Sequence, residues 1–276
     1  MNSLTVTANR IHEHPELSDR ELEKVKTVIL CGGNGVRLRP LSLYIQKCMI
    51  PMPVSEKPLL EHILSLIRFH GLRDVTFLIG YKGEQIMNYF GNGDRFNMKI
   101  GYAKDREEVK GSGWALFNAF EQQNIAQEDT ILIYYGDVLS NVDLSDVLQQ
   151  HRSTGAAATL VTSPSYHLPV GVVQTDNGRV TSVVEKPHLQ IQVGIGLMVI
   201  EGFTIHLLES LCQRMNNVDI MSNFIPSLMS HGYVGAYPTE AFWYDVGSLE
   251  KYEKLGQLPL DKLLTNGITV AQTQTV

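Results

Sequence analysis

Apolar and β-branched residues gather in six short runs along the chain, each followed or preceded by polar or turn-forming positions. Runs of this length without strict alternation are typical of strands buried on both faces of a sheet. We therefore predict a β-strand in each. The runs are 25–31 (VKTVILC), 74–80 (DVTFLIG), 98–103 (MKIGYA), 130–137 (TILIYYGD), 157–163 (AATLVTS) and 170–175 (VGVVQT).

A helical pattern separates the first two runs. In residues 57–71 (KPLLEHILSLIRFHG), apolar side chains recur every three or four positions, and Gly71 lies where a C-terminal cap is expected. Residues 84–90 and 113–120 carry shorter patterns of the same kind. Strands that alternate with amphipathic helices predict an α/β fold, with a mostly parallel sheet and helices on both of its faces.

The second half of the chain carries a different signal, a β-hairpin. In residues 170–187 (VGVVQTDNGRVTSVVEKP), two β-branched segments flank Asp176, Asn177 and Gly178. An Asn-Gly step between such segments is a strong signal for a tight two-strand turn. We expect this small hairpin-containing part to bind the substrate.

The two ends of the chain are polar, and no internal repeat or hexapeptide pattern of a β-helix is present. The predicted organisation is an N-terminal polar arm (1–24), a single folded domain (25–256) and a C-terminal tail (257–276).

Composition and charge exclude several classes of protein. A chain of 276 residues with 43% hydrophobic residues can bury one sizeable core, and a net charge of −6 argues against a broad nucleic-acid-binding surface. There is no apolar run of about 18 residues and no signal-peptide pattern, so we expect a cytoplasmic protein without a membrane span. The three cysteines lack metal-site spacing and are predicted to be reduced thiols.

Candidate chemistry begins directly after the first predicted strand, in residues 32–47 (GGNGVRLRPLSLYIQK). This stretch combines three glycines with Arg37, Arg39 and Lys47 and contains no carboxylate. Ligands of open α/β sheets bind at the carboxyl ends of strands, where glycine amides can approach phosphate oxygens. It matches neither the dinucleotide fingerprint, because Leu38 occupies the third glycine position, nor a P-loop. An anion site and a solvated basic surface both remain open.

The same stretch resembles the signature of the sugar-1-phosphate nucleotidyltransferases, the nucleotide-sugar pyrophosphorylases. That signature runs G-G-x-G-T-R-L-x-P-L-T, followed by a lysine and a proline-rich step. Further landmarks follow in the family's order, and the resemblance covers about residues 25–256. They are GYKGEQIMNYFGNG, ILIYYGDVL with Asp137, VVEKP with Glu185 and Lys186, GIGLMVI, and WYDVGS with Asp245.

The resemblance implies an Mg²⁺-dependent enzyme with a Rossmann-like nucleotidyltransferase domain that joins an NTP to a sugar 1-phosphate. Arg37, Lys47 and Asp137 would be the catalytic residues, and Asp137 and Asp245 would hold Mg²⁺, which prefers carboxylate and phosphate oxygens. The family's sugar-phosphate subsite maps onto Gly171, Glu185 and Lys186. Its nucleotide subsite maps onto Leu30, Gly32, Gly33, Gly35, Val36, Arg37, Lys47 and Gly111. A homo-oligomer is compatible with the family.

Each assignment has a structural alternative. Asp137 could simply turn the chain at a strand end, Asp245 could cap the following helix, and Lys186 could be an edge charge. At the level of function, the alternatives are a sensor that binds nucleotide without turnover and a cytidylyltransferase acting on a non-sugar phosphate.

The chain departs from the family pattern at three places. Val36 replaces a threonine, Gln46 and Cys48 replace prolines around Lys47, and Trp114 stands where the base-reading loop has a glycine. Trp114 is expected to cover the base or to fill a gap beneath it. The candidates for reading the base edge are Arg106, Glu107 and Glu108.

Overall fold

A computed structural model describes residues 17–53, 55–164 and 166–265. Most of the predicted arm (1–16) and the end of the predicted tail (266–276) lie outside the described residues. The strands are β1 (Val25–Cys31), β2 (Asp74–Ile79), β3 (Lys99–Lys104), β4 (Thr130–Tyr135), β5 (Val138–Ser140), β6 (Ala158–Ser163), β7 (Tyr166–His167), β8 (Val172–Asp176), β9 (Arg179–Val184), β10 (His188–Leu189), β11 (Val193–Glu201), β12 (Val234–Pro238) and β13 (Trp243–Asp245). The helices are α1 (Asp19–Leu22), α2 (Leu59–Phe69), α3 (Gly83–Phe90), α4 (Ser112–Glu121), α5 (Leu144–Thr154), α6 (Ile205–Cys212), α7 (Ile225–His231), α8 (Leu249–Leu255) and α9 (Leu260–Thr265).

Seven strands form the central sheet in the order β12-β6-β11-β4-β1-β2-β3. Neighbouring strands are parallel except at β11, which runs antiparallel to both β4 and β6. The predicted mostly parallel α/β fold is therefore confirmed. The antiparallel β11 was not predicted.

The sheet separates two hydrophobic clusters, one on each face. Along β1, Ile29 and Cys31 point into one cluster and Val28 into the other, as the two-residue period of a strand requires. Helices α2 and α5 cover the first cluster, whereas α4, α6 and α7 cover the second. Burial on both faces explains why the strands read as continuous apolar runs.

Helix α2 shows how the local pattern becomes structure. Its apolar stripe is buried, and Gly71 follows the helix with a φ of 79°, in the left-handed region that glycine adopts readily. The predicted helix and its cap are confirmed.

The predicted hairpin is confirmed as β8 paired antiparallel with β9. Both turn residues have positive φ, 47° at Asn177 and 81° at Gly178, as a type I′ turn requires. Near the end of the described chain, Leu260 of α9 is buried, so the packed core reaches beyond residue 256. Among the described residues, no helix is long and apolar enough to cross a bilayer.

Candidate active site

A large open cavity of about 1170 Å³ lies at the carboxyl ends of the parallel strands. Residues that directly follow β1, β3 and β4 reach its wall, together with parts of β11 and β13. This is the edge of an open α/β sheet where ligands bind. The predicted site residues on its wall are Leu30, Gly32, Gly33, Arg37, Lys47, Gly111, Asp137 and Asp245.

The glycine-rich loop forms one side of the cavity. Gly33 lies against the Lys47 side chain, since a Cβ built on Gly33 would be 3.2 Å from Lys47 Cε. The loop is closed by Ser42, whose Oγ donates a hydrogen bond of 2.7 Å to the Gly35 carbonyl. Gly35 and Val36 are not part of the cavity wall, and Val36 is exposed. The family's threonine position therefore points away from the cavity in this chain.

Lys47 and Asp137 form the central ion pair of the cavity. Lys47 Nζ lies 2.6 Å from Asp137 Oδ2, and both side chains are largely buried. Burial acts to lower the pKa of the Lys47 ammonium, but the Asp137 charge and the neighbouring Cys48 outweigh it, so this pKa is raised. Lys47 is thus a cation on the cavity wall.

Asp245 lies beside Asp137 because their backbone segments pair. Strand β13 is antiparallel to β5, and the Val246 amide donates a hydrogen bond of 2.8 Å to the Asp137 carbonyl. The Asp245 carboxylate accepts a hydrogen bond of 2.6 Å from Lys251 Nζ. Ser248, rather than Asp245, caps α8, so the capping alternative for Asp245 is not realised. Two carboxylates from distant parts of the sequence are thus brought to one wall of the cavity.

Arg37 reaches the same corner from the glycine loop. A Cβ built on Gly247 would lie 3.1 Å from Arg37 Nη2 and 2.6 Å from Asp245 Oδ1. The guanidinium therefore lies next to the chain segment that carries Asp245. This arrangement places a guanidinium group on the cavity wall beside the segment of Asp245.

The loop before α4 is held by contacts that leave Trp114 out of the cavity. Gly111 has a φ of 96° and lies so close to the Val218 carbonyl that a side chain would overlap it. Trp114 Nε1 donates a hydrogen bond of 2.8 Å to the Met215 carbonyl, and its ring packs against Phe117. Trp114 thus fills the space between α4 and the segment after α6 and does not line the cavity, so this packing favours the filling of a gap among its two expected roles.

The three predicted sugar-phosphate residues lie outside the cavity wall. Gly171 is next to the Glu185 carboxylate, since a Cβ built on it would be 2.7 Å from Glu185 Oε2. Lys186 is exposed and has a φ of 47°. It does act electrostatically on Glu250, which lines the cavity.

Asp105 lies on the cavity wall, although it was not predicted. It directly follows β3 and packs against Gly32 and Gly80, and a Cβ added to either glycine would overlap the Asp105 carboxyl group. Its Oδ1 atom is buried and has no hydrogen-bond partner among the described residues. Burial raises the pKa of this carboxyl. None of the predicted base readers lines the cavity, and Arg106 instead pairs with Glu121 at 2.7 Å.

The donor set limits which metal could bind. Within the described residues there is no cluster of three or more His, Cys, Asp or Glu side chains suited to a metal. Asp137 and Asp245 nevertheless suit a cation, because each carboxylate already holds a positively charged ammonium group at 2.6 Å. Mg²⁺ is usually held by one or two carboxylates, with waters and substrate phosphates completing its octahedron. Asp137 and Asp245 fit that pattern.

Gly136, which precedes Asp137, should tolerate no side chain. A Cβ built there would lie 2.8 Å from Cys48 Sγ, 2.9 Å from Cys31 Sγ and 2.9 Å from the Leu30 carbonyl. We expect Gly136→Ala to lower the free energy of unfolding by about 1 to 3 kcal/mol, as overpacking of a core does. Urea denaturation measures this. Gly232→Ala is the control, because the nearest atom to its Cβ would be 3.7 Å away, and a Gly136→Ala as stable as this control would contradict the packing.

Comparison with known proteins identifies the family of the chain. The family model described as nucleotidyl transferase matches residues 26–261. The UTP–glucose-1-phosphate uridylyltransferase of Synechocystis is 31% identical over 244 residues, which cover 83% of this chain but only 61% of that protein. The D-glycero-alpha-D-manno-heptose 1-phosphate guanylyltransferase of Aneurinibacillus thermoaerophilus is 30% identical over 233 residues, covering 83% of this chain and 96% of that relative.

Solved structures show the same fold. HddC from Yersinia pseudotuberculosis, complexed with GMP-PN, superimposes with a TM-score of 0.64 at 22% identity, over 84% of this chain and 98% of HddC. The family model covers most of the domain, and one relative is matched over nearly its whole length. The chain therefore belongs to the nucleotidyl transferase family.

Proposed function

We propose that this protein transfers a nucleoside monophosphate from an NTP to a sugar 1-phosphate. An oxygen of the sugar phosphate attacks the α-phosphorus in line, the bond between the α-phosphorus and its bridging oxygen breaks, and pyrophosphate leaves with that oxygen. The observation that carries the proposal is the meeting of the glycine loop, Arg37 and Lys47 with Asp137 and Asp245 around one cavity. The names of the relatives support the same reaction class.

Most of the work of such a reaction is the positioning and neutralisation of two polyanions. The amides of Gly32 and Gly33 and the Arg37 guanidinium would hold the β- and γ-phosphates and the departing pyrophosphate. Lys47 would lie at the α-phosphate, where its permanent charge offsets the negative charge that develops in the transition state. No side chain needs to form a covalent intermediate.

The paired carboxylates would bind a divalent cation, with Mg²⁺ as the proposed ion. Asp137 and Asp245 provide two hard oxygen ligands on hydrogen-bonded backbone segments, which keeps their spacing fixed. When bound, Mg²⁺ would neutralise phosphate oxygens of the nucleotide. The protein's own contribution is to hold both carboxylates at the cavity wall.

The sugar phosphate is proposed to enter from the hairpin side. Lys186 would bind its phosphate, and Glu185 and the Gly171 backbone would contact sugar hydroxyls. The support is the family pattern together with the electrostatic effect of Lys186 on Glu250, which lines the cavity.

Asp105 is our candidate for reading the base. Its carboxyl group lies on the cavity wall beside Gly32, and the two oxygens of a carboxylate can accept from two adjacent N–H donors. Guanine offers such a pair at N1 and N2, whereas uracil and thymine flank a single N–H with carbonyl oxygens that would repel a carboxylate. We therefore propose GTP as the preferred nucleotide.

Asp105→Asn should reduce kcat/KM for GTP by about 10- to 100-fold, because an acceptor on a charged group is lost and replaced by an amide donor. Steady-state kinetics with GTP and UTP measures the change in preference. Glu107→Gln, an equal change of charge on the exposed part of the same loop, should leave it unaltered. A wild-type preference for UTP or dTTP, or equal effects of both substitutions, would contradict the assignment.

The reaction itself is tested by pyrophosphate release from each common NTP with a panel of sugar 1-phosphates, with and without Mg²⁺. We expect turnover on at least one pair, dependent on the metal. Nucleotide binding without turnover on any pair would favour the sensor, and activity confined to CTP with a non-sugar phosphate would favour the cytidylyltransferase.

A further inference from the structure

A lysine outside the family signature holds the second carboxylate of the cavity. Lys251 Nζ lies 2.6 Å from Asp245 Oδ2, and Lys251 itself lines the cavity. Its position is fixed by the start of α8, because its amide donates to Ser248 Oγ and its carbonyl accepts from Tyr244 Oη at 2.9 Å. The backbone that carries this ammonium is therefore held in place.

This pair repeats the arrangement of the first one. Lys47 pairs with Asp137 and Lys251 pairs with Asp245, and the two carboxylates lie on neighbouring hydrogen-bonded segments. The four charges sum to zero. A divalent cation held by the carboxylate oxygens that now accept from the two lysines would displace both ammonium groups, and two cationic side chains would then face the cavity. Lys251 has more freedom to move, since its side chain is 40% exposed against 18% for Lys47.

The surroundings of Lys251 indicate which anion it would meet. Lys254 pairs with Glu250 at 2.6 Å and does not compete for Asp245. A hydrogen bond from Lys254 lowers the pKa of Glu250, and the charges of Lys186 and Lys251 act in the same direction. Lys186 thus acts electrostatically on the same carboxylate as Lys251, and Glu250 and Lys251 both line the cavity.

We propose that Lys251 is a phosphate-binding residue for the sugar 1-phosphate, and that it neutralises Asp245 until a divalent cation takes its place. The proposal rests on the proposed function, since it assigns Lys251 a role in that reaction. Binding of the cation to Asp245 releases the ammonium, and the released ammonium binds the incoming phosphate. The two binding events are therefore coupled, and each strengthens the other.

Lys251→Met tests both halves of this proposal. In titrations of the protein alone with Mn²⁺, followed by electron paramagnetic resonance, we expect the Lys251→Met variant to bind the ion about two- to five-fold more tightly, because an exposed competing ion pair is gone. In kinetics with saturating metal, KM for the sugar 1-phosphate should rise about tenfold with the loss of a charged donor, and KM for the NTP should stay within about two-fold. Lys251→Arg should restore most of the sugar-phosphate affinity.

Lys57→Met is the matched control, with the same change of charge at a lysine that pairs with a carboxylate, Glu61, at 2.8 Å and does not line the cavity. It should alter neither the Mn²⁺ affinity nor KM. An active wild type whose Lys251→Met variant shows unchanged Mn²⁺ affinity and unchanged KM for the sugar 1-phosphate would overturn the inference alone, as would a rise confined to KM for the NTP. A wild type inactive on every substrate pair would instead remove the proposed function, and the Mn²⁺ titration would still report whether Lys251 competes for Asp245.

Discussion

Asp137→Asn should lower kcat for nucleotidyl transfer by about 10³-fold or more, the upper end of the loss of one preorganised electrostatic group. Asparagine keeps the shape of the side chain but removes the charge that pairs with Lys47 and that is proposed to hold the metal. The Asp137 side chain is largely buried beside the Lys47 ammonium group, and residues 136–140 contain no other carboxylate that could replace it. Single-turnover measurement of pyrophosphate release with saturating substrates and Mg²⁺ reports the loss directly.

Two controls separate chemistry from folding in this experiment. Asp94→Asn makes the same change of charge at an exposed position away from the cavity wall, and it should retain the wild-type rate. The melting temperature of the Asp137→Asn protein should remain well above the assay temperature, because the amide can still accept a hydrogen bond from Lys47. A folded Asp137→Asn variant with a near-normal rate would remove Asp137 from the metal site.

The elements that the sequence predicted are those with purely local signals. The apolar run at 25–31 forms a strand whose two faces are both buried. The turn at Asn177-Gly178 could be predicted because these two residue types readily adopt positive φ. Strand β11 had no such signal. Its direction depends on pairing with β4 and β6, far away in sequence, and apolar periodicity carries no information about strand direction.

The candidate site shows the same difference between residues that have a sequence signal and residues that do not. Asp137 was predicted because a strand signal and a family landmark coincide at that position, whereas Asp105 follows β3 in the equivalent place without a landmark. The general rule that ligands bind at the carboxyl ends of parallel strands could have found it. Arg106, Glu107 and Glu108 were instead predicted to read the base edge. Only the packing of Gly32 and Gly80 against Asp105 shows which carboxylate turns inward.

For a related reason, the sequence left two roles open for Trp114 and gave no signal for Lys251. Trp114 departs from the family pattern at a base-reading position, yet its ring is used to pack α4 against the segment after α6. Lys251 belongs to a helix whose sequence reads as ordinary surface, and its importance depends on a contact with Asp245, six residues earlier. In both cases the partner, rather than the residue type, decides the role.

Arg37→Ala should cost about 2 to 4 kcal/mol of transition-state stabilisation, roughly a 30- to 1000-fold loss in kcat, by analogy with the removal of one preorganised donor. Arg37 lines the cavity beside the segment that carries Asp245, and within the described part of the chain it forms no salt bridge. Its charge is therefore available to the leaving pyrophosphate. Arg37→Lys keeps a point charge but loses the planar fork, so its rate should be intermediate.

Arg39→Ala provides the matched control for this prediction. It removes an exposed arginine two residues away that does not line the cavity. A general effect of loop charge on the approach of the nucleotide would weaken both variants alike, mainly through KM and more strongly at low salt. A group that acts on the leaving pyrophosphate must lower kcat in Arg37→Ala alone, with the defect persisting at saturating NTP. Equal kcat values for the two variants would show that Arg37 contributes only to the surface potential of the loop.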